Sequence, residues 1–480
     1  MWMINTCVSA LIFAWLIHWI YRWKNPKCNG VLPPGSLGLP LIGETLQLTV
    51  PSYSLDLLPF LKKRIQRYGK TFRTSVAGRA IVVSADPEFC HFVLQQDGKL
   101  FDSWSLDTFK KIFAQESEAS INIPNVHKYI RSTVLKHFGV EVLREKLLPL
   151  MEEASRVTIK SWLGQESVDV KYATGIMAIH LGTKQLLSHI PTQSSEKLGD
   201  LYFSFVRGLL SIPLNIPGTT YYQCMKNHKK ALSIIREIIK DRVSSSKTPY
   251  NDYLSRIMAD MGKEMFLTED SMVQLIFGLL FVSFDSLSTT LTLALMFLEE
   301  NPKALEEITD EHEAIIKQRE VLDSSITWEE YKSMPFTLHV IHESLRLGNI
   351  SPGLLRRTKG DVEWKGYTVP TGWGVLIATS AFHLDPETYK DPTTFNPWRW
   401  KVEFKMGIRD FESDAILKNF MPFGWGMKQC AGAEYARVFL ATFLHVLVTK
   451  YRYIKVKRGG IRRNPILNLG EGLHIKVMEK

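Results

Sequence analysis

The feature that most constrains this chain is a single cysteine, Cys430, in the stretch MPFGWGMKQCAG at residues 421–432. Gly424 and Gly426 precede it in a predicted turn, and an apolar helical pattern starts at Ala433. This order places the sulfur at a helix N-terminus, where unpaired backbone N–H groups and the helix dipole favour a thiolate over a thiol. The glycines let backbone amides and a flat ligand approach the sulfur closely. The competing interpretation is a small buried core residue.

The spacing F-x-x-G-x-x-x-C-x-G, met by Phe423, Gly426, Cys430 and Gly432, decides between these interpretations. On these residues the chain resembles the cytochrome P450 family. The resemblance implies that Cys430 is the axial ligand of haem b and that Phe423 and Gly432 lie beside this cofactor. Lys428 stands where the family commonly has arginine or histidine, a change that alters the hydrogen-bonding reach.

Composition excludes several other classes of protein. The chain has 480 residues, of which 45% are hydrophobic, and no Ser/Gly-rich or Pro-rich spacer divides it. Its formal charge is +10, but the basic residues are scattered, so we expect no nucleic acid partner. Five scattered cysteines argue against a disulfide framework and for a reducing compartment.

The N-terminal stretch from Trp2 to Ile20 is almost uninterrupted apolar sequence. About 19 residues at a rise of 1.5 Å each span roughly 28 Å, enough to cross a bilayer core. Arg22, Lys24 and Lys27 follow at once and predict that the remainder faces the cytosol. A cleaved signal peptide is the alternative, but a charged first region and a small-x-small cleavage site are both missing.

Prolines and glycines in VLPPGSLGLPLIG, residues 31–43, predict a stiff irregular strap that packs against the body of the protein. The predicted organisation has three parts. They are a transmembrane anchor at 1–24, a proline-rich hinge at 25–45, and a haem-thiolate catalytic domain at 46–480.

The rest of the chain predicts a mainly α fold with small β-sheets. Residues 68–85 read as a β-hairpin, and helical patterns dominate from Pro87 to Glu300. Residues 212–220 read as a loop. In the family the equivalent region lies over the substrate pocket, and a surface loop of no special role is the alternative. The basic run 455–463 predicts a solvated hairpin, with contact with acidic lipid as the alternative. The resemblance implies the cytochrome P450 fold, with haem between the long central helix and the cysteine loop.

A long apolar helical pattern from Ser271 to Leu298 carries polar residues at its middle, in FVSFDSLSTTLT. Burying Asp285 there is costly unless it is paired or functional. The family has an acid followed by a threonine at these positions, beside the oxygen-binding face of the haem. The resemblance therefore implies a catalytic role in proton delivery for Asp285 and Ser286. Serine keeps the hydroxyl group but lacks the methyl group that stiffens the threonine side chain.

Three residues elsewhere are candidates for binding the haem propionates. His127 and Arg131 lie one turn apart on one helix face, where an exposed surface pair is the ordinary explanation. In the family a tryptophan or histidine followed four residues later by arginine holds the propionates, and these two residues match it. Arg356, in LLRRTKGD, matches a further propionate-binding arginine.

Glu343 and Arg346 have a spacing that pairs side chains on any helix and also occurs at Glu141 and Arg144. They are singled out because Arg399 and then the cysteine motif follow in the family order. The resemblance implies that Glu343 and Arg346 lock onto Arg399 and hold the cysteine loop. This role is structural, since a buried triad is costly to break.

The resemblance covers the entire chain and implies monooxygenation of a lipophilic substrate, with NADPH-derived electrons supplied by a membrane-bound NADPH–cytochrome reductase. PPGSLGLPLIGETLQ and FNPWRW resemble plant members that oxidise sterols and triterpenes, cucurbitane skeletons among them. The anchor predicts a single-pass protein of the endoplasmic reticulum with a cytosolic catalytic domain. Two alternatives stay open: a haem-thiolate enzyme that rearranges or cleaves its substrate, and a non-catalytic membrane haem-binding protein.

Overall fold

The computed structural model describes residues 2–105, 109, 124–188, 193–209, 211, 213–244, 251–321, 323–401, 404–405, 408–409 and 416–480. In chain order its helices are α1 (Trp2–Lys24), α2 (Thr45–Leu48), α3 (Pro59–Tyr68), α4 (Pro87–Gln95), α5 (Pro124–Phe138), α6 (Val140–Val142), α7 (Leu148–Lys160), α8 (Val170–Leu187), α9 (Gln193–Gly208), α10 (Thr220–Ser244), α11 (Tyr253–Ala259), α12 (Glu269–Glu300), α13 (Pro302–Lys317), α14 (Trp328–Lys332), α15 (Pro335–Gly348), α16 (Thr379–His383) and α17 (Ala433–Lys450). A π-helical segment, Leu143–Leu147, joins α6 to α7, and 3₁₀ turns lie at Pro397–Trp400 and Gly426–Lys428.

The strands form small sheets. They are β1 (Thr71–Val76), β2 (Arg79–Ser84), β3 (Phe101–Ser103), β4 (Val168–Asp169), β5 (Leu354–Thr358), β6 (Val362–Trp364), β7 (Tyr367–Val369), β8 (Gly374–Ile377), β9 (Phe404–Lys405), β10 (Ile408–Arg409), β11 (Tyr451–Arg458), β12 (Arg462–Asn464), β13 (Ile466–Asn468) and β14 (Leu473–Glu479). A five-stranded sheet has the order β1-β2-β8-β5-β3, with β2 and β8 parallel and the other pairs antiparallel. A second sheet has the order β11-β14-β4, and three two-stranded ribbons complete the set.

The first hairpin confirms the prediction for residues 68–85. β1 and β2 pair antiparallel, from Thr71 opposite Ser84 to Val76 opposite Arg79. Gly78 takes a positive φ of 72° at the turn, which a glycine adopts without strain. The hairpin opens the large sheet, whose buried face packs on α3 and α4.

The central helix α12 confirms the predicted apolar pattern. Thr268 caps its first turn in a capping box with Ser271. The helix packs along α8, α10, α15 and α17. It is long and apolar enough to cross a membrane, but 67% of its most apolar window is buried inside the protein. It is therefore the core helix around which the other helices are arranged.

The N-terminal helix α1 is a candidate membrane span of a different kind, because none of its window Ile4–Lys24 is buried in the protein. The strap that follows it docks on the sheets. Arg73 N donates to Pro34 O at 2.8 Å, and Thr368 N donates to Val31 O at 2.7 Å. The predicted packing of the strap is thus confirmed. Several of its apolar side chains nevertheless stay exposed, among them Leu39 and Leu41.

The prediction for the basic run 455–463 is wrong. β11 pairs with β14 and β12 pairs with β13, so the run is not one hairpin. Arg463 is only 1% exposed. Its guanidinium donates to three carbonyls at the end of α15, those of Leu347, Gly348 and Asn349. Those carbonyls carry the negative end of the helix dipole, which explains how this arginine is buried without a carboxylate.

The predicted loop at 212–220 is confirmed where the structure describes it. Ile212 lies outside the described residues, and residues 213–219 form an irregular connection between α9 and α10. Leu214 and Ile216 expose their side chains there. The connection therefore presents an apolar surface to its surroundings.

Candidate active site

A cavity of about 1070 Å³ lies between α12 and the loop that carries Cys430. Its wall is largely apolar, with contributions from Ile130, Val134, Phe203, Leu209, Phe281 and Leu354. The β12–β13 hairpin adds polar side chains at Arg462, Asn464 and Asn468. A large apolar cavity with few polar groups suits a lipophilic ligand whose orientation those groups fix.

Cys430 lies on the wall of this cavity, three residues before the start of α17. Its backbone N–H donates to Phe423 O at 2.8 Å and so closes the loop. Gly424 and Gly426 take positive φ values of 70° and 74°. A Cβ added at Gly424 would meet only Leu354 Cδ1, at 3.9 Å. The loop therefore presents open, side-chain-free backbone beside the sulfur.

The protonation of Cys430 differs from the expectation drawn from the sequence. The side chain opens into the cavity, yet desolvation by the surrounding protein raises the pKa of the thiol, although the Gly432 backbone N–H and the charges of Arg131 and Arg437 act to lower it. The desolvation cost of the thiolate thus exceeds its stabilisation by the helix N-terminus. Without a bound metal ion, the protein favours the protonated thiol. A metal ion that a thiol coordinates removes the proton outright.

The structure brings the predicted cationic residues to one end of the cavity. His127 and Arg131 both line it from α5, and Arg131 Nη1 donates to Gln429 O in the cysteine loop. Lys428 also lines it and donates from Nζ to Ser103 Oγ at 2.5 Å. Burial, followed by the charges of Lys428 and Arg131, lowers the pKa of His127.

Arg356 lies on β5 and is not among the lining residues, but it belongs to the same cluster. Its Nη2 lies 3.1 Å from Asp97 Oδ2, and Lys428 Nζ lies 3.3 Å from Asp97 Oδ1. The Nε atom of Arg356 is buried and has no hydrogen-bond partner. Sequence reasoning missed Asp97, because an Asp-Gly pair after a helix reads only as a turn.

Ser283, Asp285, Ser286 and Thr290 of α12 line the cavity. Asp285 Oδ1 lies 3.2 Å from Lys171 Nζ, an ion-pair contact without hydrogen-bond geometry, and each side chain is 20% exposed. Ser286 Oγ donates to Val282 O at 2.5 Å, and Thr290 Oγ1 donates to Ser286 O at 2.7 Å. Lys171 was missed as well, since nothing in the sequence places the start of α8 beside the middle of α12.

Glu343, Arg346 and Arg399 meet in the core beneath the cysteine loop. Glu343 and Arg346 are fully buried, and Arg346 binds the carboxylate through Nε at 2.9 Å and Nη2 at 2.8 Å. Arg399 Nε donates to the same carboxylate at 3.0 Å. Trp400 Nε1 and Asn396 N also donate to it, each at 3.0 Å. The carboxylate is therefore satisfied on both oxygens.

A buried histidine links this triad to the cysteine loop. Arg346 Nη1 donates to His383 O at 2.6 Å. Met421 N donates to His383 Nε2 at 3.0 Å, so His383 Nδ1 carries the proton and donates to Asn349 Oδ1 at 2.7 Å. Only the neutral ring with this tautomer makes both bonds. His383 thus fixes the first residue of the cysteine loop to the core.

The buried histidines predict acid lability. Burial lowers the pKa of His383 and His342 to about 3 and that of His445 to about 4. Unfolded histidine titrates near 6.5, so below this pH the unfolded chain binds more protons, and stability falls as pH falls toward 4. We expect a loss of roughly 2 kcal/mol for each such histidine at pH 5, measured by urea unfolding.

The variant His383→Asn tests the predicted acid lability. Its unfolding free energy should depend less steeply on pH than that of the wild type. His474→Asn, at the surface on β14, is the matched control and should keep the wild-type slope. Equal slopes in wild type and His383→Asn would contradict the prediction.

Comparison with known proteins identifies this architecture. A retinoic acid-bound cyanobacterial CYP120A1 shares the fold, with a TM-score of 0.80 and 22% sequence identity, over 94% of this chain and 100% of that chain. This likeness shows the fold of the chain. A model of the cytochrome P450 family matches residues 33–474. The chain belongs to the cytochrome P450 family, whose members carry haem iron and take NADPH-derived electrons through a reductase.

Named relatives cover the full chain. A cucurbitadienol 11-hydroxylase from Siraitia grosvenorii is 46% identical over 100% of both chains. A beta-amyrin 16-alpha-hydroxylase from Maesa lanceolata is 43% identical over 100% of both chains. A cholesterol 22-hydroxylase from Paris polyphylla is 33% identical over 98% of this chain and 97% of its own length. This protein is thus a cytochrome P450 monooxygenase that hydroxylates a lipophilic substrate, which sets aside the non-catalytic alternative.

Proposed function

We propose that this enzyme hydroxylates a triterpenoid or sterol in the cavity between α12 and the cysteine loop. The observation that carries the proposal is a largely apolar cavity of about 1070 Å³ in a chain whose full-length relatives are named for triterpenoid and sterol substrates. A rigid polycyclic skeleton buries a large apolar area in such a space. The few polar lining groups would then orient its hydroxyl groups.

Haem b fits the residues present at the floor of this cavity. A soft sulfur ligand, Cys430, borders an open strip of glycine backbone, which admits a flat ring. Arg356 Nε is a buried donor without an acceptor, and Arg131 and Lys428 bring further positive charge to the same end. Donors and charges of this kind suit the two propionates of haem.

In this proposal Cys430 would hold the iron, and Phe423 and Gly432 would lie beside the cofactor. Arg131, Arg356 and His127 bind or border the propionates, with Lys428 beside them. Bound haem would supply the activation of dioxygen, in which one oxygen atom enters the substrate and the other leaves as water with two electrons and two protons. The apolar wall excludes water and orients the substrate carbon. The triad of Glu343, Arg346 and Arg399 acts only by holding the cysteine loop.

Asp285 and Ser286 are proposed to supply protons from the α12 side. Ser286 Oγ lies against its own helix backbone, one turn from Thr290, so two hydroxyl groups follow each other along the cavity wall. Asp285 is held by Lys171 at 3.2 Å, where both side chains are partly exposed. A carboxylate at this boundary can exchange protons with water and pass them toward the cavity.

We therefore expect Asp285→Asn to lower product formation by about 100-fold while leaving the haem bound. Mass spectrometry of product and the consumption of NADPH measure the rate and the coupling. Asp285→Glu is the control, because it restores a carboxylate and should recover part of the rate. An unchanged rate with full coupling in Asp285→Asn would remove Asp285 from the mechanism.

The proposal also covers the cellular setting. Residues 1–24 would cross the endoplasmic reticulum membrane once, residues 25–45 would form the hinge, and residues 46–480 would form the cytosolic domain. Exposed apolar side chains on the strap and on the α9–α10 connection support contact with lipid, from which a lipophilic substrate would enter. Electrons would come from an NADPH–cytochrome reductase in the same membrane.

The proposed function is tested in microsomes that hold this chain and a plant reductase. A panel of cucurbitane, oleanane and sterol substrates is supplied with NADPH, and products are detected by mass spectrometry. We expect one skeleton to gain one oxygen atom only when NADPH is present. Product of unchanged oxygen content without NADPH would favour rearrangement, and no product from any skeleton with haem bound would reject this substrate class.

A further inference from the structure

We propose that Asp97 is a positioning residue for the cofactor. It fixes the cationic side chains of Lys428 and Arg356. It also lowers the net positive charge of their cluster so that it matches the two negative charges of a dianionic ligand. This inference rests on the proposed haem site and assigns it a residue that no sequence pattern pointed to.

The contacts of Asp97 tie together three separate segments. Asp97 is 3% exposed and lies two residues after the end of α4. Its Oδ1 is 3.3 Å from Lys428 Nζ, in the 3₁₀ turn before Cys430, and its Oδ2 is 3.1 Å from Arg356 Nη2 on β5. Each carboxylate oxygen thus holds one cation. Ser103 accepts a second bond from Lys428 at 2.5 Å and completes the cluster.

Both cations keep donor capacity beyond their bonds to Asp97. Arg356 donates from Nη1 to Leu355 O, its Nη2 forms an ion pair with Asp97 Oδ2 at 3.1 Å, and its buried Nε has no hydrogen-bond partner. Lys428 has three donors, two of which reach Asp97 and Ser103, and its side chain lines the cavity. A buried donor without an acceptor costs free energy, so this cluster suits an anionic partner that arrives later.

The charges of the cluster match two carboxylates. Arg131, Arg356 and Lys428 are the cationic side chains of the cluster, and burial lowers the pKa of His127, which favours its neutral ring. Asp97 cancels one of the three positive charges. The remaining two equal the charge of two propionates, so the partly buried site is neutral when the ligand is bound, which limits the cost of unpaired charge there.

The test is Asp97→Asn in the full-length holoprotein, because asparagine keeps the shape and removes the charge. We expect the midpoint potential of the bound haem to rise by about 59 mV, a tenfold shift in a one-electron equilibrium, since a nearby anion stabilises the ferric form. We also expect haem to pass about tenfold faster to an excess of an acceptor haem protein. If Asp97 acted only through its charge, its removal would strengthen the attraction of the cations for the propionates and would slow the loss of haem. Faster loss of haem therefore indicates that Asp97 positions those cations.

Two controls sharpen the experiment. Asp102→Asn removes a half-exposed carboxylate five residues along the same segment, 3.9 Å from Lys359, and should leave both readouts unchanged. Asp97→Glu restores the charge and should return the potential to the wild-type value. A purely structural Asp97 predicts a less stable Asn variant with unchanged potential, and that result would overturn the proposal.

If Asp97→Asn gives no holoprotein, Lys428→Met probes the same contact from the other side. Its potential should fall and its haem should be lost faster, and unchanged values would overturn the proposal. Wild-type protein without thiolate-ligated haem would overturn the proposed cofactor site together with this inference. Wild-type haem of the expected kind, with no change in either readout on Asp97→Asn, would overturn this inference alone.

Discussion

Cys430→Ser is expected to abolish product formation while the polypeptide stays folded. Among the described residues that line the cavity, Cys430 alone carries sulfur. At the proposed haem site a serine oxygen would be a harder ligand than a thiolate and would supply less electron density for cleaving the O–O bond of dioxygen. The replacement changes one atom on an open wall, so we expect little loss of stability.

The measurements for Cys430→Ser are product by mass spectrometry, the absorption spectrum of the reduced protein with carbon monoxide, and the melting temperature. We expect product below detection and loss of the spectral band typical of thiolate ligation. Cys28→Ser, on the partly exposed N-terminal segment, is the matched control and should keep full activity. Retained turnover in Cys430→Ser would refute the thiolate assignment.

Glu343→Gln should have the second large effect, on stability and haem retention together. The carboxylate accepts hydrogen bonds from two buried arginines, Arg346 and Arg399, and from Trp400. Glutamine removes the negative charge and turns one oxygen into an NH₂ group that faces donors. Removing one partner of a buried charge pair costs about 3–5 kcal/mol. That is a large part of the stability of a typical domain.

The loss should spread to the cysteine loop, because Arg346 also binds His383 O and His383 holds Met421. Unfolding in urea and the yield of bound haem measure both effects. Glu141→Gln is the control, since Glu141 has the same spacing to Arg144 but lies exposed, where such a pair contributes less than about 1 kcal/mol. A cost for Glu343→Gln no larger than that of the control would contradict a structural role for the triad.

The sequence predicted the parts of this structure that depend on local pattern. The hairpin at 68–85 and the helix α12 follow from periodicity and turn residues, and the structure confirms them. The position of Cys430 at the start of α17 follows in the same way. Such features are set by residues within one or two turns of each other.

The partners that the sequence did not reveal are distant in the chain. Asp97 lies 331 residues from Lys428, and His383 lies 38 residues from Met421. Hydrophobic pattern predicts which face of an element is buried but not which polar group meets it there. Arg463 shows the same limit, because charged residues are normally exposed and its carbonyl partners belong to a helix more than 100 residues earlier.

The β12–β13 hairpin has two faces with separate tasks. Arg463 is buried against the end of α15, whereas Arg462, Asn464 and Asn468 line the cavity. Mutations on the cavity-lining face alter the surroundings of a substrate. They leave the hydrogen bonds of Arg463 on the buried face in place. We expect gene duplicates of this enzyme to diverge there early, so that new oxidised products arise during evolution without an intervening loss of stability.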